Sequence, residues 1–159
     1  MSVTSTISVR ASNTADLGAI RTLLVSAALP VQDLDTATGL RFWVTEDGDR
    51  LVGAIGFEPF GATGLLRSLV VSPSHRRSGL GSTLVSALER EVSAQGMQTL
   101  VLLTETAEAF FRLRGYRVVE RSVLPDDVRQ SAEFRSLCPA SAVCMTKSLP
   151  STSAGVSDG

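Results

Sequence analysis

Residues 65–84, read as LLRSLVVSPSHRRSGLGSTL, constrain this chain more than any other stretch. They open as an apolar, β-branched run to Val71, break at Ser72-Pro73, pass through His75-Arg76-Arg77 and reach Gly79-Leu80-Gly81. Beyond that, Leu80, Leu84, Val85 and Leu88 recur at helical spacing. The order is therefore strand, basic glycine loop, helix. Such a turn presents free backbone N–H groups and the positive end of a helix dipole beside two arginines. Glycine removes the side chains that would keep an oxyanion from those amides, so a phosphate, and better a pyrophosphate, is the ligand it suits.

Two familiar phosphate loops are excluded. The dinucleotide fingerprint needs a third glycine where this chain has Leu84, and the nucleotide-triphosphate loop needs a Gly-Lys pair where this stretch has no lysine. At 159 residues the chain has room for one domain with a full core. A net charge of −1 argues against a global nucleic-acid-binding field. No apolar run reaches the length of a membrane span, and the polar start is unlike a secretory signal, which makes cytoplasm the expected compartment. Cys138 and Cys144, with one distant histidine, form neither a disulfide framework nor a standard zinc site, so no metal is expected.

Taken in order, residues 7–11 alternate as a strand. Asn13 or Thr14 caps a helix whose apolar face is Leu17, Ile20, Leu23, Leu24 and Ala27. Residues 40–45 and 50–57 are strands around the turn Glu46-Asp47-Gly48-Asp49, and residues 58–63 link them to the central strand. A helix over 82–95 is followed by a strand at 99–103, a short helix at 107–114 and a strand from Tyr116 to Glu120. Residues 124–137 read as a polar helix, 142–145 as a last strand, and 150–159 as a disordered tail. This alternation describes a single α/β domain over residues 1–149, with a mixed central sheet and one parallel strand pair.

The register Arg76-x-x-Gly79-x-Gly81 after Leu69-Val70-Val71-Ser72-Pro73 resembles the coenzyme A signature of GNAT N-acetyltransferases. Phe110-Phe111-Arg112-Leu113-Arg114-Gly115-Tyr116 is similar to a second segment of that family, and the element order looks like the GNAT fold, with splayed parallel strands at its centre. The resemblance implies acetyl transfer from acetyl-CoA to the primary amine of a small molecule, without nucleic-acid or membrane partners and with room for a homodimer. It implies that Arg76, Arg77, Ser78, Gly79, Leu80, Gly81 and Ser82 hold the pyrophosphate. Leu69, Val70 and Val71 would bind the pantetheine arm, and an amide at Val70 or Val71 would polarise the acetyl carbonyl. Thr104 to Ala107, with Phe110 and Phe111, would line the far side of the thioester.

Many family members carry tyrosine where this chain has Phe111, which cannot protonate a leaving thiolate. Tyr116 reads as a core aromatic. A thiol is a tolerable leaving group without an acid, but Phe111 also suits an alternative in which the chain binds acetyl-CoA as a sensor for a protein partner. Glu58 is the candidate base, set against a solvated loop carboxylate, and His75 reads as a loop residue. Arg67, in an apolar run, is either a ligand for a substrate carboxylate or phosphonate or half of a structural ion pair. Alternation places Ser68 on the opposite face. Arg41 and Glu133 are further substrate-binding candidates.

Residues 133–145, with Leu66-Arg67-Ser68-Leu69 and Thr104-Glu105-Thr106-Ala107-Glu108, resemble the arsenic-resistance branch of the family. Members of that branch acetylate arsinothricin, a glutamate analogue, and phosphinothricin is treated similarly. Direct arsenic binding by Cys138 and Cys144 is the weaker reading. Two thiols fall short of a three-coordinate site, and Cys144 within Ala-Val-Cys-Met reads as a small buried hydrophobe.

Overall fold

The computed structural model describes residues 8–29, 31, 34, 39–76, 79–131, 134 and 141–150. Among the described residues, seven strands form one sheet in the order β1-β2-β3-β4-β5-β7-β6. These are β1 (Val9–Ala11), β2 (Arg41–Asp47), β3 (Arg50–Phe60), β4 (Thr63–Val71), β5 (Thr99–Thr104), β6 (Arg117–Val118) and β7 (Val143–Ser148). The helices are α1 (Leu17–Ser26), α2 (Leu80–Ala94), α3 (Glu108–Arg112) and α4 (Asp126–Arg129). All described neighbours are antiparallel except β4 and β5, the parallel pair that the alternation of elements predicts.

The chain enters α1 through a capping box. Asn13 accepts from the Ala15 amide at 2.9 Å, and Asp16 accepts from the Asn13 amide at 2.8 Å. Arg10 grips the same Asp16 carboxylate with two nitrogens and holds it below the usual carboxylate range. Two boundaries differ from the sequence reading. Residues 58–63 are mostly strand, because β3 runs through Pro59, opposite Gly64, to Phe60 and turns tightly at Gly61-Ala62. The polar helix expected at 124–137 starts only at Asp126, after Pro125, as the four-residue α4; Phe134 is helical, and residues 132–133 and 135–137 lie outside the described residues.

The two faces of the sheet carry separate apolar layers. On one face α2 and α3 cover Trp43, Ile55, Phe57, Leu66, Leu100, Leu102 and Met145. On the other, one cluster joins Ile20 and Leu24 of α1 to Val44, Ala54 and Val70, and a second joins Leu65, Val101, Leu103 and Cys144 to Val128 and Phe134. Burial pushes the Cys144 thiol up to about 11, which fits an inert core residue.

Candidate active site

The site begins with a failure of strand pairing. β4 and β5 are in register only at Thr63↔Thr99, Gly64↔Leu100 and Leu65↔Val101; beyond Leu65 they part. The rest of β4 still pairs with β3 along its other edge, so its outer edge faces the gap.

A bulge in β4 decides what faces where. Gly56 opposes Arg67 and Ala54 opposes Val70, so two residues of β4, Ser68 and Leu69, stand against Ile55 alone. Ser68 takes a left-handed backbone, φ 58°. The extra residue inverts the alternation. Leu66 lies on the α2 face and Arg67 on the other, but after the bulge Leu69 and Val71 return to the α2 face while Val70 joins the α1 cluster. The backbone follows the same count. The Ser72 amide donates to the Val52 carbonyl at 2.7 Å, so the N–H and C=O of Val71 turn away from β3 into the gap, and those of Leu69 do so by alternation. The Val70 amide, offered above as an alternative to Val71, faces β3 instead.

The gap continues into a pocket of about 600 Å³ lined by Leu69, Val71, His75, Arg76, Gly79, Leu80, Gly81, Ser82, Thr106, Ala107, Phe110 and Arg114. At its end stands the N-terminus of α2. Gly79, at φ +85°, makes the left-handed entry, and among the described residues no side chain caps the helix, which leaves the first-turn amides of Leu80, Gly81 and Ser82 open to a ligand. A Cβ on Gly81 would meet the Phe110 ring at 3.4 Å, an ordinary van der Waals contact, so Phe110 stands directly against this turn. Arg76 folds back, donating from Nε to the Val71 carbonyl at 3.2 Å. His75 ties the loop to the β2–β3 hairpin, with Nε2 2.8 Å from Asp47 and Nδ1 2.9 Å from Ser74.

On the opposite face, Glu58 and Arg67 meet at the seam between the two apolar clusters. Arg67 Nη1 is 3.4 Å from Glu58 Oε1, with the residues 2% and 7% exposed. Glu58 is therefore an interior strand residue opposite Leu65, not a loop carboxylate. Alternation also misplaces Ser68. Its Oγ accepts from Arg67 Nε at 3.4 Å, because the bulge brings two consecutive side chains together.

The other predicted residues are distributed as follows. Ala107 and Phe110 line the pocket. Thr104 uses its hydroxyl to accept the Ala107 amide at 3.0 Å and shapes the entry to α3. Phe111 is buried beneath the pocket, edge-on to Phe110 and Tyr116, and does not line it. Tyr116 donates to Glu89 at 2.8 Å, and its burial beside that carboxylate raises the phenol well above its ordinary value. Arg41, opposite Phe57 on the neighbouring strand, bonds Gln95 at the C-terminal end of α2, about 24 Å along that helix from Gly79 by its rise per residue. Arg77, Ser78, Glu133 and Cys138 lie outside the described residues. Thr106, within the expected stretch Thr104 to Ala107, lines the pocket, and Arg114 is a pocket residue that the sequence reading missed. Arg114 had a usable signal, since it stands four positions after Phe110 on a helical segment.

Comparison with known proteins places this architecture. A family model described as an acetyltransferase (GNAT) domain matches residues 38–118. The chain belongs to the GNAT acetyltransferase family. Among relatives, the uncharacterized N-acetyltransferase YjcF of Bacillus subtilis is 32% identical over 84 residues, 52% of this chain and 60% of that protein. The amino-acid acetyltransferase of Ectopseudomonas mendocina is 40% identical over 53 residues, 33% of this chain and 12% of that protein. The chain spans little more than half the length of the Bacillus relatives it matches. N-acetylglutamate synthase of Neisseria gonorrhoeae, solved with coenzyme A and N-acetyl-glutamate, shares the fold at TM-score 0.77 and 19% identity, over 93% of this chain and 36% of that one. Among the described residues no helix is long and apolar enough to cross a membrane.

Proposed function

We propose that this protein is an acetyl-CoA-dependent N-acetyltransferase that modifies the primary amine of a small acidic molecule in the cytoplasm. The observation that carries the reading is the gap between β4 and β5. It opens on one side to a pocket ending in the uncapped amides of α2, and the buried pair Glu58–Arg67 flanks β4 on the other side.

Acetyl-CoA supplies an acyl group activated as a thioester. The pocket fits such a molecule. Its long apolar wall suits a pantetheine arm, and the amides of Leu80, Gly81 and Ser82, with Arg76, suit a pyrophosphate. The amides of Leu69 and Val71 face the gap and would donate to the acetyl carbonyl as its oxygen gains charge; Leu69 lies nearer the floor of the splay and nearer Arg67. Glu58 would take the amine proton, directly or through water, and Arg67 would draw an anionic group of the acceptor. The arginine beside the carboxylate supports an acidic amino acid-like acceptor, and relatives named amino-acid acetyltransferases agree with that class. Within it, the resemblance of Leu66–Leu69 and the C-terminal segment to the arsenic-resistance branch points to arsinothricin or phosphinothricin.

One observation favours the sensor alternative. The chain's single tyrosine is committed to Glu89, so among the described residues no phenol reaches the pocket to protonate a thiolate. Release of free thiol from acetyl-CoA separates the two readings. Arsinothricin, phosphinothricin, glutamate, a polyamine and a lysine peptide would be offered as acceptors, with an Arg76→Ala/Gly81→Asp variant as the blank. Release with the glutamate analogues supports the enzyme and the branch. Release with the polyamine or peptide alone removes the acidic substrate. Binding of acetyl-CoA without release under any acceptor favours the sensor.

A further inference from the structure

The cofactor pocket contains a second arginine that the chemistry above does not use. Arg114 follows α3 and folds back over it. Its guanidinium carbon lies 3.7 Å from the centroid of the Phe110 ring, and Nη1 donates to the Phe110 carbonyl at 2.7 Å. Stacking and hydrogen bond together fix the plane of the guanidinium, so little side-chain freedom remains to be lost when a ligand arrives. Nε of the same group is buried and finds no acceptor among the described residues. Arg114 lines the pocket, so its guanidinium stands beside the space that a bound anion would occupy.

The two arginines of the pocket stand on different elements. Arg76 belongs to the loop before α2 and leans on Val71, whereas Arg114 belongs to the α3 wall, beyond the Phe110 ring that packs toward Gly81. The pyrophosphate of coenzyme A is already provided for by the α2 amides and Arg76. The remaining anionic group of the molecule is the phosphate monoester on its ribose, and a planar, pre-oriented guanidinium suits that group. We infer that Arg114 recognises the 3′-phosphate of coenzyme A and lets this protein discriminate acetyl-CoA from its 3′-dephospho form. The inference rests on the acetyl-CoA reading given above.

Calorimetric titration of the full chain with coenzyme A and with 3′-dephospho-coenzyme A tests it, using the wild type, Arg114→Met and Arg114→Lys. Methionine keeps an apolar stem over Phe110, and a thermal melt checks that the variants fold. The wild type should bind coenzyme A about tenfold more tightly than the dephospho form, the size of one hydrogen bond to a charged group. Arg114→Met should lose that preference by weakening coenzyme A alone, and Arg114→Lys should keep part of it. Equal weakening of both ligands in Arg114→Met overturns the inference. Equal binding of both by the wild type overturns it without any variant and leaves the acetyl-CoA reading intact. Failure of the wild type to bind either ligand sinks that reading and the inference with it.

Discussion

The two faces of β4 build their halves of the site from different materials. On the α2 face most of the proposed ligand groups belong to the backbone, the amides of Leu69 and Val71 along the open strand edge and those of Leu80 to Ser82 at the helix start, with Arg76 and Arg114 beside them. Glycine and an apolar wall keep them accessible. On the opposite face the groups are charged side chains, Glu58 and Arg67, inserted where two apolar clusters fail to meet. A backbone site tolerates most substitutions that respect its shape, and binds a ligand that varies little. A buried ion pair depends on both partners at once, and there a family can change its acceptor without touching its cofactor. The comparison predicts that the faces are separable by mutation.

The largest effect should come from adding charge to the backbone half. Gly81→Asp places a carboxylate in the first turn of α2, where it favours the helix and repels a phosphate. Acetyl-CoA affinity, read by calorimetry, should fall by at least ~100-fold through like-charge repulsion, while the melting temperature holds or rises. Retained affinity would remove the α2 terminus from the cofactor site.

The other half should respond in stability first. Arg67→Met leaves Glu58 buried opposite an apolar chain and should destabilise the fold by about 3–5 kcal/mol in chemical denaturation. Glu58→Gln/Arg67→Met, which removes both charges, should recover most of that loss. Failure of the double variant to recover would mean that these residues do not act as a pair.

The bulge that divides the faces was not legible in the sequence, and it accounts for most of what the sequence misplaced. An alternating reading of 65–71 puts Leu69 beside Arg67, and nothing in Arg-Ser-Leu announces that Ser68 adopts φ 58°. By contrast, the strand–loop–helix order was readable from Gly79 and Gly81 at one register with Arg76, because backbone geometry of that kind demands particular residues. The parallel pair and the inert character of Cys144 were legible for similar reasons. The positions of Glu58 and Arg41 were not, since each depends on where β2 and β3 end against β4 and α2, a tertiary matter that local pattern does not encode. Ser68→Val tests the bulge itself. A β-branched residue in the left-handed region should cost about 1–2 kcal/mol and blur the separation of the faces.

The smallest effect concerns whether the charged face is sealed behind its second cluster, where Cys144 packs. Its thiol is favoured in the neutral form by burial, so it contributes stability fully below the unfolded value and loses that contribution as pH rises from the usual 9.0 to about 11. Melting curves across that window should fall for Cys138→Ser and fall less steeply when Cys144→Ala is added, the remaining slope belonging to Tyr116, whose phenol burial also holds neutral. An unchanged slope in the double variant would show that this thiol is not the titrating group.

The central claim is that one face holds the cofactor and the other deprotonates and anchors the acceptor. Its most direct test is thiol release by Glu58→Gln/Arg67→Met at saturating acetyl-CoA, with a glutamate-like acceptor that the wild type uses. Acetyl-CoA affinity should match the wild type, with release reduced by at least ~100-fold, as expected when a proton acceptor and an anchoring charge are lost together. Release at the wild-type rate would contradict it and detach the buried pair from the chemistry.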